Sequence, residues 1–298
     1  MVLGRQVMAR RRGVASGTFR IAAAQTGLRR YWLALGGLNG GRFEVADGNL
    51  DVSFAHARIV DVDFSGLRFS SFGAHDSMFE RCDFTRTAFD HVSFGATGYG
   101  GERWDRLTWP ATVYRECVFA RTRIPPQAFF GNARFERCTF DGARLRGLTF
   151  THQAQFVGCT FRGKIQDVNF WGTPSEHTAV LGRDRNAFTG NDFTGGDLLG
   201  VAFKHIDLHA QRFPGLPDYA VLDRVDQRVA AALAAMADWP DEEIKTEAAS
   251  SLRFGANDAT EYNDGHALVS RSWVGRRLPP DVRDQIFWML VNYSDDQQ

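Results

Sequence analysis

The chain has 298 residues, and its 35 basic and 35 acidic side chains cancel to a formal net charge of zero. That length allows one or two domains. No run of eighteen apolar residues occurs, which excludes a hydrophobic transmembrane helix.

The opening, 1–37, is basic, with Arg5, Arg10, Arg11, Arg12, Arg20, Arg29 and Arg30. No apolar segment of signal-peptide length follows these arginines, so a cytoplasmic location is expected. A basic stretch of this kind reads either as a nucleic-acid or membrane tail or as a partly disordered or capping terminus. The second is expected for 1–37.

From about Leu38 a repeat begins, irregular at first and then strict. Phe54, Ile59, Phe64, Phe69, Phe79, Phe84, Phe89 and Phe94 recur every fifth residue, broken only by Ala74. A helix repeats its apolar positions every 3.6 residues and a strand every 2, so a period of five is neither. Two positions before each large residue stands a second inward candidate, mostly small: Val52, Ala57, Val62, Leu67, Ser77, Cys82, Thr87 and Val92. Opposite Ala74 that position holds Phe72, so large and small have changed places, as a core of fixed volume would require.

Val62-Asp-Phe-Ser-Gly66, Cys82-Asp-Phe-Thr-Arg86 and Val92-Ser-Phe-Gly-Ala96 carry a small residue, a polar one, a central Phe and two variable ones. In this the chain resembles the pentapeptide-repeat family. The resemblance implies a mainly β fold, a right-handed four-sided parallel β-helix with one five-residue unit per side. Four such units make a coil of about twenty residues, stacked at strand spacing of roughly 4.8 Å.

A longer echo marks the coils. Phe79-Glu-Arg-Cys82-Asp-Phe84 returns as Tyr114-Arg-Glu-Cys117-Val-Phe119, as Phe135-Glu-Arg-Cys138-Thr-Phe140, as Phe156-Val-Gly-Cys159-Thr-Phe161 and as Phe188-Thr-Gly-Asn191-Asp-Phe193. Coil starts then fall at 59, 79, 114, 135, 156 and 188, with one earlier near Leu38, giving about seven coils. Two of these coils are much too long. One excursion, 95–110, follows Phe94 and carries Tyr99, Arg103, Trp104, Arg106 and Trp109; the other, 171–182, follows Phe170 and carries Trp171 and His177. Both leave after the fourth unit of a coil and should project from one corner. Tyr99, Trp104, Trp109 and Tyr114 also keep the five-residue phase, so 95–113 reads either as a loop or as an irregular coil; Gly98-Tyr-Gly-Gly101 and Trp109-Pro110 favour the loop.

The repeat stops at Pro214-Gly-Leu-Pro217. Beyond it, Leu222, Val225, Val229, Leu233 and Met236 step by three and four, which predicts a helix capped by Asp218 and ended by Trp239-Pro240. A second helix is expected from Asp241, with Ile244, Ala248 and Leu252 on one side and Gly255 as its stop, and a third from Pro280. The expected domains are the terminus 1–37, the β-helix 38–213, and a helical cap or dimerisation region 214–298 that covers an open end of the stack.

Little here carries chemistry. Cys117, Cys138 and Cys159 stand twenty-one residues apart, which is no zinc spacing. With Cys82 they are read as buried core thiols rather than a metal or redox ladder. No HExxH, Gly-x-Ser-x-Gly or P-loop occurs. The expected function is a non-catalytic protein-binding scaffold with no cofactor and no metal. Its partner-binding residues are Tyr99, Arg103, Trp104, Arg106, Trp109, Trp171 and His177, types enriched at hot spots. Direct contact with nucleic acid or membrane is not expected. The resemblance implies an alternative, binding of DNA gyrase or topoisomerase IV by duplex mimicry, conferring resistance to quinolones or a toxin. The near-equal charges of the repeat region argue against it, because a duplex carries one charge per roughly 1.7 Å. A third reading is a small-molecule-binding or biosynthetic protein with a pocket at the loop edge.

Overall fold

The structure is a computed structural model. It describes residues 7–8, 14–15, 19–21, 30–34, 37–45, 50–95, 110–174 and 181–293, with side chains from residue 37 onward except 43–45. By its internal contacts the chain forms two compact units, Met1–Ala202 and Phe203–Gln298.

Every strand pair described in the first unit is parallel, as a coiling chain requires. The longest sheet has eight strands: Val14–Ala15, Gly37–Asn39, Arg58–Val60, Met78–Glu80, Thr112–Arg115, Ala133–Glu136, Gln155–Val157 and Phe188–Thr189. Its register aligns Leu38, Ile59, Phe79, Tyr114, Phe135, Phe156 and Phe188 one above another. These are the expected coil starts. The ladder also extends upstream of Leu38. Val14–Ala15 pairs with Gly37–Asn39, Val7–Met8 with Arg30–Ala34, and Phe19–Ile21 with Phe43–Val45. Strands therefore lie within 1–37, which the sequence marked only as a basic terminus.

A second sheet stacks Arg30–Ala34, Leu50–Ala55 and Arg68–His75, and a third stacks Thr139–Asp141, Thr160–Gln166 and Asp192–Leu199. Together the sheets and the bridges between them close a four-sided parallel β-helix. Hydrogen bonds run from coil to coil, so the backbone of an interior coil is satisfied above and below.

The interior is a set of ring columns. Phe64, Phe84, Phe119, Phe140, Phe161 and Phe193 stack with centroids 4.9, 4.9, 5.0, 4.9 and 4.6 Å apart. Phe79, Tyr114, Phe135 and Phe156 form another, at 4.8, 4.9 and 5.0 Å. Offset stacking at the coil repeat lets planar rings fill a narrow prism without voids. Phe72 and Ala74 are both buried, as the exchange of large and small requires. One corner runs through Gly40, Asp61, Arg81, Glu116, Arg137, Gly158 and Gly190, all at positive φ. Glycine is suited to that conformation, and the charged residues that adopt it hold their side chains outward.

The second unit begins at Phe203 and so takes in the last repeats, 203–213. It contains an antiparallel pair, Tyr219–Leu222 with Ala267–Ser270, and helices Val225–Ala235, Glu242–Asn263 and Pro280–Val291. Their core includes Val225, Val229, Met236, Leu252, Val269, Ile286 and Phe287. Two local expectations are corrected. Leu222 ends a strand rather than opening a helix, and Asp218 accepts a hydrogen bond from Arg271 at 2.8 Å instead of capping. Gly255 does not stop the second helix, which runs on to Asn263. A Cβ at Gly255 would lie 2.2 Å from the Trp273 ring, so this glycine makes room for an indole. Asp241 does cap that helix, accepting from Glu243 and Ile244 N–H at 3.0 Å.

Candidate functional site

The two excursions leave from equivalent places. Phe94 and Phe170 are both buried and belong to coils that start at Phe79 and Phe156, three register steps apart. Their bases are thus about 14 Å apart at strand spacing. Gly95 marks the first departure, where a Cβ would come within 2.6 Å of the Asn132–Ala133 backbone.

The side of the prism that ends at this corner breaks the five-residue phase. Counting from Phe119 in fives makes Phe129 inward, but Phe130 is the buried residue and Phe129 is 37% exposed. One coil on, Thr151 is buried and Phe150 is 40% exposed. Each of these coils has twenty-one residues, and the additional one turns a phenylalanine outward. The rings of Phe129 and Phe150 touch in a tilted pair, with centroids 4.8 Å apart. Beside them, a groove of about 290 Å³ is lined by Ser53, Phe72, Gly73, Ser93, Gln127 and Phe129, among others. His152 and Trp171 make a second outward pair at 4.8 Å.

Arg183 stands at the return of the second excursion and is half-buried. Its Nε donates to Asn186 Oδ1 at 3.2 Å, and its two terminal nitrogens donate to Asn132 Oδ1 at 2.6 Å and to the Gln153 carbonyl at 2.5 Å. All three acceptors are neutral. Burial, and then the neighbouring Arg134, push its pKa down to about 10.

Charge is distributed unevenly around the coils. The side that holds the eight-stranded sheet is a lattice of ion pairs: Arg58–Glu80 at 3.1 Å, Arg81–Asp61 at 2.7 Å, Arg115–Glu136 at 2.9 Å and Arg137–Glu116 at 2.8 Å. The hydrogen bond from Arg58 holds Glu80 below the usual carboxylate range.

Tyr99, Arg103, Trp104, Arg106, Trp109 and His177 lie outside the described residues. Trp171 is described. It ends the strand Asn169–Trp171, half-buried against His152, and so belongs to the prism wall rather than to an excursion. Phe129, Phe150 and Arg183 were not singled out from sequence. The available signal was the coil length of twenty-one, which announces a phase slip without placing it.

The cysteines occupy one buried column. Their thiols donate to the carbonyls of Ile59, Phe79, Tyr114 and Phe135 at 3.6, 3.5, 3.2 and 3.4 Å. Asn191 takes the next position and donates to Phe156 O at 2.9 Å. Burial pushes the Cys138 thiol well above its ordinary value. Among the described residues no group of three or more His, Cys, Asp or Glu side chains could hold a metal ion. No helix among them is long and apolar enough to cross a membrane.

A five-residue unit with a buried central ring, four sides to a coil and parallel coil-to-coil pairing define this fold as a pentapeptide-repeat β-helix. No family model matches the chain, and no curated protein matches it. Among solved structures it is similar to HetL, a pentapeptide-repeat protein involved in heterocyst differentiation regulation from the cyanobacterium Nostoc, at 12% identity over 66% of this chain and 90% of that one, with a TM-score of 0.22. It is also similar to a trypsin-treated form of QnrB1, a plasmid-mediated fluoroquinolone resistance protein, at 14% identity over 66% and 92% of the two chains, with a TM-score of 0.21. Full-length QnrB1 matches at 15% identity over 60% and 94%, with a TM-score of 0.19.

Proposed function

We propose that the chain is a non-catalytic protein-binding scaffold whose partner docks at the corner from which both excursions leave. The observation that supports this is the outward aromatic strip beside that corner. Phe129 and Phe150 are large, apolar, exposed and paired on a rigid wall. Rigid exposed aromatics are among the residue types that dominate binding energy. The excursions 95–110 and 173–182, with Tyr99, Arg103, Trp104, Arg106, Trp109 and His177, then extend the same surface and set which protein is bound. Presenting a binding surface from fixed coils lowers the ordering cost of association.

The test is affinity capture from the source cells followed by direct titration of the captured protein. The intact chain, a chain with both excursions replaced by short Gly-containing turns, and Phe150→Ala are compared. A partner held by the intact chain should bind the other two at least about tenfold more weakly, at 1.4 kcal/mol per decade. Equal affinity for all three sinks the proposal. Gyrase or topoisomerase IV subunits as that partner would identify the alternative reading of the resemblance as the function.

A further inference from the structure

Unlike the ion-paired side, one side of the prism carries a surplus of cations, with Asp90, Asp141 and Asp197 as the acidic residues among or beside them. Arg86 and Arg121 occupy adjacent steps of a corner column, since Arg86 N donates to Ala120 O and Arg121 N to Asp141 O in successive coils. On the side that follows, Arg123 bridges Arg144, and Leu145 pairs with Ile165, which sets Arg144 beside Lys164. Arg146 lies two positions beyond Arg144, at the end of the strand Leu145–Arg146. All six side chains are exposed. Among the described residues none of the six has an ion pair or a side-chain hydrogen bond, whereas Arg68 on the coil below is tied to Asp90 at 3.0 Å.

The six span four coils, about 14 Å at strand spacing. That extent is comparable to one or two screening lengths at physiological salt, so their potentials add. A duplex presents about eight phosphates over the same axial distance, at one per roughly 1.7 Å. Acidic protein surfaces, where carboxylates alternate with other residues, do not reach that density. Arg, which makes five of the six, offers a planar fork for phosphate oxygens. Between the cations stand Ala88, Ala120, Gly142 and Gly147, which let a rod approach closely, with Asp141 as the one acidic side chain beside them.

We propose that this side binds the phosphate backbone of double-stranded nucleic acid without regard to sequence. It lies apart from the aromatic corner and does not depend on the partner proposed there. The balanced totals of the chain conceal it, because many of the acidic residues are engaged in pairs on another side and the cations outnumber the carboxylates here.

The experiment is fluorescence anisotropy of the full chain with labelled duplexes of about twenty base pairs and two unrelated sequences, from roughly 50 to 200 mM salt. Both duplexes should bind alike, and log affinity should fall against log salt with a slope of about −4, at roughly −0.9 per phosphate neutralised. Arg123→Ala with Arg144→Ala should weaken binding about tenfold or more and flatten the slope by about 2. Arg58→Ala with Arg115→Ala, on the ion-paired side, should change neither. Thermal melting of both double variants confirms that they are folded. Absence of binding at the lowest salt, or equal losses from the two double variants, overturns the proposal. So does tighter binding of a glutamate-rich peptide of matched charge, which would assign the side to an acidic protein.

Discussion

Phe84 is buried between Phe64 and Phe119, each 4.9 Å away, and has no direction in which to relax. Phe84→Ala should therefore cost about 3–5 kcal/mol in chemical denaturation. Arg86, two positions on and exposed, should cost under about 1 kcal/mol when changed to Ala. Arg86 also sits at φ 58°, in a column where Gly66 and Gly142 hold the same conformation. Arg86→Gly should thus be neutral or stabilising, and Arg86→Val destabilising, because a β-branched residue is poorly suited to left-handed backbone. A melting series that ranked valine above glycine would contradict this account of the corner. The thiols give a further check. Cys82, Cys117, Cys138 and Cys159 are buried and donate to the carbonyls of a neighbouring coil, so none should react with a thiol reagent until the coils open, and all should react together on unfolding.

Elements show where a sequence pattern decides and where packing overrides it. The coil starts were legible because a five-residue phase and a repeated Cys-x-Phe signature both mark the same inward positions, and no other fold buries residues on that period. The outward turn of Phe129 and Phe150 was not legible. Either of two adjacent phenylalanines could fill the column at 129–130, and at 150–151 the smaller Thr151 is the one taken inside. Gly255 misled for a related reason. Glycine ends helices by adopting positive φ, but here it stays helical and yields its volume to Trp273, a residue distant in sequence. Gly255→Ala accordingly sets two effects against each other. Helix propensity favours alanine by up to about 1 kcal/mol. Overpacking against the indole costs about 1–3 kcal/mol. The net change should be destabilising, and Trp273→Ala should reverse its sign; a stabilised Gly255→Ala single variant would show that the ring moves aside freely. Asp241→Ala, which removes two cap hydrogen bonds, should cost about 1 kcal/mol.

At the scale of the molecule, the β-helix tolerates interruption because each coil is closed by its neighbours. Tyr114 follows Phe79 by thirty-five residues, yet its ring stacks on Phe79 at 4.8 Å, as closely as Phe135 stacks on Phe156 at 5.0 Å. Replacing 95–110 and 173–182 by short turns should leave the stability of the first unit within about 1 kcal/mol, since loop-closure entropy changes slowly with length. Unfolding of that chain would mean that the excursions belong to the core. The candidate site was only partly readable from sequence, because exposure of an aromatic is a property of its column and not of its neighbours along the chain.

The segregation of charge by side also bears on how the protein behaves in the hand. At neutral pH its formal charge is zero, and a chain judged by that figure would be expected to pass an ion exchanger without delay. Adsorption responds to the local field and not to the total. The protein should be retained on a phosphocellulose column at pH 7 in dilute buffer, elute at moderate salt, and run through unretained once Arg123 and Arg144 are replaced.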